Sequence, residues 1–315
     1  MTPTDTPPPT DASGTDDHQQ TGAEFRCGYV AIVGRPNVGK STLMNRLVGQ
    51  KLAITSDRPQ TTRHRITGVV NRPGAQLLML DTPGIQQREQ NAMNRVLNKT
   101  ARQVAQEADV VAMVIDARGW RDEDAKIAAA LPNKVPRLLV INKIDAVRDR
   151  KAVFEMTQLI QQTCTFDEIV PVSAKSGHQI ELLADLCGAR LPLGPAWFDE
   201  DTLTDRSERF LAAELIREKL FRHLGAELPY ATTVMIESFE LEGTMRRVQA
   251  TVLVERASQK GIVLGAGGLR MKQMATEARL DLEKLFGSKV FLEIFVKVRS
   301  GWADNEQSLR AYGYE

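Results

Sequence analysis

The sequence predicts two domains in tandem: a doubly wound α/β domain with a mostly parallel sheet, then a smaller α+β domain. Three observations lead there. Continuous apolar runs at 29–33, 76–80, 110–115, 138–141 and 169–172 alternate with helix-spaced segments, as a sheet covered on both faces requires. A glycine-bearing loop joins the first run to a helix. Beyond 191–204, which carries prolines, a glycine and an acidic cluster, the strands become alternating, as at 248–254 and 290–298. A chain of 315 residues also exceeds one ordinary core.

Residues 1–24 are rich in Pro, Thr, Asp and Gly, with acids at Asp5, Asp11, Asp16, Asp17 and Glu24 and no base. Such a segment buries too little apolar surface to offset its ordering entropy, so it reads as a disordered acidic tail. The α/β domain is assigned to 25–192, with one antiparallel hairpin expected around 65–80. Between its strands, Met93, Val96, Leu97, Ala101, Val104 and Ala105 show helical spacing. Residues 193–205 are expected to be a linker, and Asp205 followed by Glu208 to be a helix N-cap with its reciprocal acid. The second domain, 206–303, then runs α-β-β-α-α-β. It opens with Ala213, Ile216, Leu220 and Leu224 on one helix face, and later carries a stripe of Met271, Met274, Ala275, Ala278, Leu282 and Leu285. The methionine stripe reads as core packing. Residues 304–315 form a C-terminal segment.

Lys+Arg 41 against Asp+Glu 40 leaves a net charge of +1, so polyanion binding by bulk charge is excluded and a nucleic-acid contact requires a local basic surface. Cys27, Cys164 and Cys187 are widely separated and form no CxxC, which argues against a disulfide framework or zinc site and fits a reducing cytosol. No apolar run approaches the length of a spanning helix, and the N-terminus lacks the basic and apolar regions of a signal peptide. The expected location is cytoplasmic.

The chemistry begins at Gly34, Arg35, Pro36, Asn37, Val38, Gly39, Lys40 and Ser41, a GxxxxGKS phosphate loop between strand and helix. Its backbone N–H groups and the helix N-terminus suit phosphates, Lys40 suits the β- and γ-phosphates, and the Ser41 hydroxyl suits Mg²⁺. Asn142, Lys143 and Asp145 (NKxD) select the base: the Asp145 carboxylate can accept both N1–H and the 2-amino group of guanine. The Lys143 stem can cover the ring, and Asn142 can bridge to the phosphate loop. Ser173 and Ala174 are expected to offer a backbone N–H to the guanine O6. Asp81, opening the DTPG motif, is the acid expected to hold Mg²⁺, and the Gly84 N–H is placed to sense the γ-phosphate. Either Thr61 or Thr62 is expected to close on Mg²⁺ in the triphosphate state; spacing leaves both open. Lys40, Thr61, Thr62, Asp81 and Gly84 thus form the candidate catalytic set for GTP hydrolysis.

Ile85 follows Gly84, where many GTPases carry a water-orienting glutamine, so intrinsic turnover is expected to be slow. A non-catalytic assembly factor with GTP as a structural ligand is the competing reading. Asn37 can either shape the turn or offer its carbonyl to a monovalent cation beside the phosphates. His64 reads as a packing or surface residue. In the second domain Gly265, Ala266, Gly267 and Gly268 give a GxxG between two helices, where a KH domain clamps a nucleic-acid backbone. Arg256, Lys260, Arg270 and Lys272 surround it, with no acid from 256 to 276. These are the candidate RNA-binding residues.

With GRPNVGKSTLMNRL, QTTRHRI, DTPG, NKID and SAK, then DRSERFLAAELIREKL, LGAELPY and VKVRSGWAD, the chain resembles the Era family of bacterial GTPases over 25–315. That resemblance implies a Ras-like GTPase domain joined to a type II KH domain, binding of small-subunit ribosomal RNA but not DNA, and a role in small-subunit maturation, partly at the inner periphery of the membrane. It also implies potassium at Asn37. The GAGG loop departs from the family in lacking a basic residue, which Arg270 and Lys272 can offset.

Overall fold

The structure, a computed structural model, describes residues 24–301 apart from 57, 59–60, 86–91 and 226–227, with the side chains of 92–94 also outside the described set. The acidic tail, except Glu24, and the C-terminal segment therefore fall outside the described residues, as does the Met93 side chain.

The first unit comprises β1 (Arg26–Val33), α1 (Lys40–Val48), β2 (Ile66–Arg72), β3 (Ala75–Asp81), α2 (Ala92–Glu107), β4 (Val110–Asp116), α3 (Asp122–Ala130), β5 (Arg137–Asn142), α4 (Arg150–Thr163), β6 (Glu168–Pro171) and α5 (Ile180–Gly188). Its sheet has the order β2-β3-β1-β4-β5-β6, and only β2 runs antiparallel. The continuous apolar runs follow from this arrangement: β4 is buried at all seven positions because helices cover both faces. Parallel register brings functional residues to one edge, with Ile32 beside Asp81 and Asp116 beside Asn142. Ligands of such sheets bind at the carboxyl ends of the strands.

The second unit is α6 (Glu208–His223), β7 (Thr232–Glu242), β8 (Met245–Val254), α7 (Ala257–Leu264), α8 (Leu269–Phe286) and β9 (Val290–Val298), with sheet order β7-β8-β9. β7 and β8 are antiparallel, and β9 joins β8 in parallel. Met271 and Met274 pack with Val252, Val254 and Val296 in its core.

One expectation is corrected. Ser207, not Asp205, caps α6: its side chain accepts from the Phe210 N–H, while Asp205 accepts from Thr67 Oγ1 at 2.9 Å on β2. The nearer hydroxyl across the chain wins the carboxylate. The 193–205 stretch, expected as a linker, lies along the first sheet. The N–H groups of Trp197 and Phe198 both donate to Oε1 of buried Gln76, Phe198 packs with Cys27, Val69 and Leu78, and Thr204 bridges to Gly68. Its aromatic anchors explain this better than its prolines.

α6 differs from the expected one-sided helix. Glu214, Arg217, Glu218 and Lys219 are buried along with Leu215, Leu220 and Phe221. The charged ones are paired partly across the junction between units and partly within the second unit, where Lys219 pairs with Asp281. Arg217 donates to the Thr61 carbonyl at 2.6 Å and pairs with Glu214, while Arg63 donates to the Pro229, Tyr230 and Thr232 carbonyls. Lys51 bridges Glu218 and Asp281.

Candidate functional site

The phosphate loop wraps back on itself through Lys40. Its ammonium donates to the carbonyls of Gly34 and Arg35, both at 3.0 Å. Burial pushes the Lys40 ammonium down to about 8, against the pull of nearby Asp81. Gly39 is indispensable here: its φ is +99°, and a Cβ would stand 2.4 Å from Asn142 Nδ2. At Gly84 a Cβ would stand 2.7 Å from the Pro36 nitrogen, so the DTPG turn lies directly against the phosphate loop. Pro36, Asn37, Gly39, Lys40, Ser41, Thr61, Thr62 and Gly84 line one cleft.

At its floor, Ser41 Oγ donates to Asp81 Oδ2 at 2.7 Å and lies 2.8 Å from Thr62 Oγ1. Burial pushes the Asp81 carboxyl up to about 6, opposed by hydrogen bonds from Ser41 and Thr62. Its second oxygen, Oδ1, is buried without a hydrogen-bond partner. An orphaned carboxylate oxygen beside two hydroxyls is a hard, all-oxygen donor set of the kind Mg²⁺ prefers. Of the two threonines, Thr62 faces this set. Thr61 turns away, its hydroxyl donating to the Arg58 carbonyl and its own carbonyl accepting from Arg217.

The residues expected to read the base converge on the other side of the loop. Asn142 Nδ2 donates to the Val38 carbonyl at 2.9 Å, tying β5 to the phosphate loop. Lys143, with φ +67°, reaches the Asn37 carbonyl and Asp116 Oδ2. Asp145 is exposed, and its Oδ1 accepts from Ser173 Oγ at 2.6 Å. The Ser173 and Ala174 amides, expected to face a base, both have partners within the protein: His178 O and Asn142 Oδ1. Once Val38 orients the Asn142 carboxamide, its oxygen is the nearest acceptor for Ala174.

Two supporting carboxylates escaped the sequence reading. Asp116 is buried, which pulls its carboxyl upward, yet hydrogen bonds from Arg118 and Lys143 hold it well below the usual range, and it positions the Lys143 stem. Asp124 is fully buried on α3 and holds Arg35 by two contacts of 2.9 Å. The first could have been read from the acid ending an apolar strand. The second left no signal, since its partner lies far away in sequence.

Ile85 packs against the core containing Val33, Leu80 and Ile115. His64 stacks edge-on against Phe210 with Glu214 4.0 Å away, a packing environment. In the second unit the Gly265–Gly268 loop joins α7 to α8, and Arg256, Lys260, Ala266, Gly267, Arg270 and Lys272 are exposed. A Cβ at Gly267 or Gly268 would meet nothing within 4 Å, so the loop is open outward. Arg270 bends back to the Ile262 carbonyl. Ile262 and Leu269, exposed at 49% and 69%, flank the loop with apolar surface that the charge pattern did not reveal.

Residues 29–143 match the family described as 50S ribosome-binding GTPase, and residues 227–303 match the KH domain family. GTPase Era of Bordetella petrii is 52% identical over 291 residues, spanning 92% of this chain and 98% of that protein. GTPase Era of Nitrosomonas eutropha is 48% identical over 291 residues, with the same coverage. Among solved structures, Aquifex aeolicus Era bound to GDP·AlF4⁻ superposes with a TM-score of 0.88 at 38% identity, covering 92% of this chain and 99% of that one. Era in complex with MgGDPNP and nucleotides 1506–1542 of 16S ribosomal RNA gives 0.87 at the same identity and coverage.

Proposed function

This chain belongs to the Era family of GTPases, and on that premise we propose that it couples GTP hydrolysis to binding of small-subunit ribosomal RNA during small-subunit maturation. The observation that carries the nucleotide half is the link from base-reading to phosphate-holding residues: Asn142 to Val38, and Lys143 to Asn37. One rigid frame thus addresses both ends of a nucleotide. Residues 25–192 form the catalytic unit in this reading, 193–205 a strap and 206–303 the RNA-binding unit.

In this reading the backbone N–H groups of 34–41, Pro36 excepted, hold the β-phosphate, and Lys40 neutralises charge on the β- and γ-phosphates. Ser41, Thr62 and Asp81 hold Mg²⁺, which when bound neutralises charge on the transferring group. The Gly84 N–H faces the γ-phosphate. Asp145 reads guanine N1–H and the 2-amino group, with Asn142, Lys143, Ser173 and Ala174 around the ring. Ile85 offers no side-chain hydrogen bond to water, so hydrolysis is slow without further help. Asn37, exposed and lining the cleft, would hold potassium, whose charge would aid hydrolysis. The Gly265–Gly268 loop, with Arg256, Lys260, Arg270 and Lys272, clamps the RNA strand; a KH relative solved with 16S ribosomal RNA supports this. The family resemblance further suggests peripheral contact with the inner face of the cell membrane. Among the described residues no helix is long and apolar enough to cross one.

Asp145→Asn tests the nucleotide assignment. Xanthine presents an oxygen where guanine carries its amino group, so the variant should shift from GTP toward XTP by at least tenfold in the affinity ratio, about 1.4 kcal/mol. An unchanged ratio removes Asp145 from the base site.

A further inference from the structure

α2 carries a feature that neither nucleotide binding nor the GxxG loop uses. Arg95, Lys99 and Arg102 lie on its solvent face and gather with Gln103 and Gln106 round one shallow cleft. Their i, i+4, i+7 spacing sets them about 6 Å and about 4.5 Å apart along the axis. The single acid of the helix, Glu107, is at its far end and pairs with Arg65. The cationic face continues to Lys126 on α3, which shares with Arg102 and Gln106 a neighbouring hollow bounded by Glu123 and Ile85.

Cations do not gather on one face without cost, since like charges four residues apart on a helix repel. We propose that this stripe is a second RNA-binding surface, taking the phosphate backbone of a segment outside the GxxG clamp. It extends the reading of the chain as an rRNA-binding GTPase and rests on it. The partner chemistry follows from what separates the cations. Gln106 is an exposed polar amide suited to phosphate and sugar oxygens, and Gln103 donates to Glu107 at 2.7 Å, whereas a membrane-lying helix would expose apolar residues there. Leu97, Ala101, Val104 and Ala105 are instead buried, the last two in the core beneath the helix.

The test uses the full chain and two RNAs: a short single strand sized for the GxxG loop, and the same strand extended by a duplex. R95E/K99E/R102E should bind the short strand as the parent does and the extended RNA more than tenfold more weakly. Its log K against log salt slope on the extended RNA should be shallower by about 2–3, one counterion per lost phosphate contact. The neutral set R95Q/K99Q/R102Q, with the thermal melt of both variants, separates lost charge from lost folding. Equal binding of both RNAs by parent and neutral variant overturns the proposal. So does unchanged RNA binding with lost flotation on phosphatidylglycerol vesicles, which would make the stripe a membrane contact. A266D/G267D isolates the underlying reading: if it keeps short-strand affinity, the GxxG clamp fails, whereas the stripe is judged on the extended RNA alone.

Discussion

In the proposed reading, Asn37 would supply help that Ile85 cannot give. It sits at φ +64° on the outer curve of the phosphate loop, and its carbonyl accepts from Lys143, so its side chain is held at the rim of the same cleft as Ser41 and Gly84. A monovalent cation beside it would supply positive charge where charge develops in hydrolysis. Single-turnover hydrolysis should therefore run faster in potassium than in sodium at equal ionic strength, and Asn37→Ala should erase the difference. Equal rates in the two salts would leave Asn37 a turn residue only. Glu214 makes the same point for folding: a charge tolerated in a core must be paired.

That pair also governs the element that carries it. α6 buries Glu214 and Arg217 together, with Arg217 continuing to the Thr61 carbonyl. Burial pulls the Glu214 carboxyl upward, but the Arg217 charge and hydrogen bond bring it below its ordinary value of 4.5. A folded value below the unfolded one means the stabilisation is fully present above about pH 4.5 and is lost as pH falls through the lower folded value. Glu214→Gln should therefore destabilise the chain at neutral pH by about 3–5 kcal/mol, since it strands a buried guanidinium. It should also flatten the acid limb of stability. Urea melts across pH would read both, and a variant with parental stability at pH 7 would show that water or backbone already satisfies Arg217.

Across the whole molecule, the nucleotide cleft and the GxxG loop belong to separate sheets, so damage to one need not reach the other. Lys40 lies wholly within the first, donating to the Gly34 and Arg35 carbonyls. Lys40→Ala should weaken triphosphate binding by tenfold or more, about 1.4 kcal/mol, and leave nucleotide-free affinity for a short RNA strand unchanged. Equal loss of both in nucleotide-free protein would make the two units one binding body. The contacts between them are real nonetheless: Arg63, beside Thr62, is seated on the Pro229–Thr232 carbonyls of the second unit.

The sequence alone was enough for the fold class and for the nucleotide chemistry, because both are written in local order. A phosphate loop is contiguous, NKxD ends a strand, and a sheet covered on both faces leaves unbroken apolar runs such as β4. The choice of Thr62 over Thr61 was not local. It depends on which hydroxyl the chain brings to Ser41 and Asp81, from helix and strand at different places in the sequence. The same holds for Asp124 under Arg35, for Asp205 leaving its helix to bind Thr67, and for a Pro-bearing linker fixed by Gln76. The charged residues buried along α6 look solvated in the sequence, and the first unit packing against them, at Thr61 and Lys51, helps to bury them. Periodicity reports which face a segment buries against its own sheet; what else covers it is decided by tertiary packing, where distant polar groups find each other because burial without a partner costs more than ordering them.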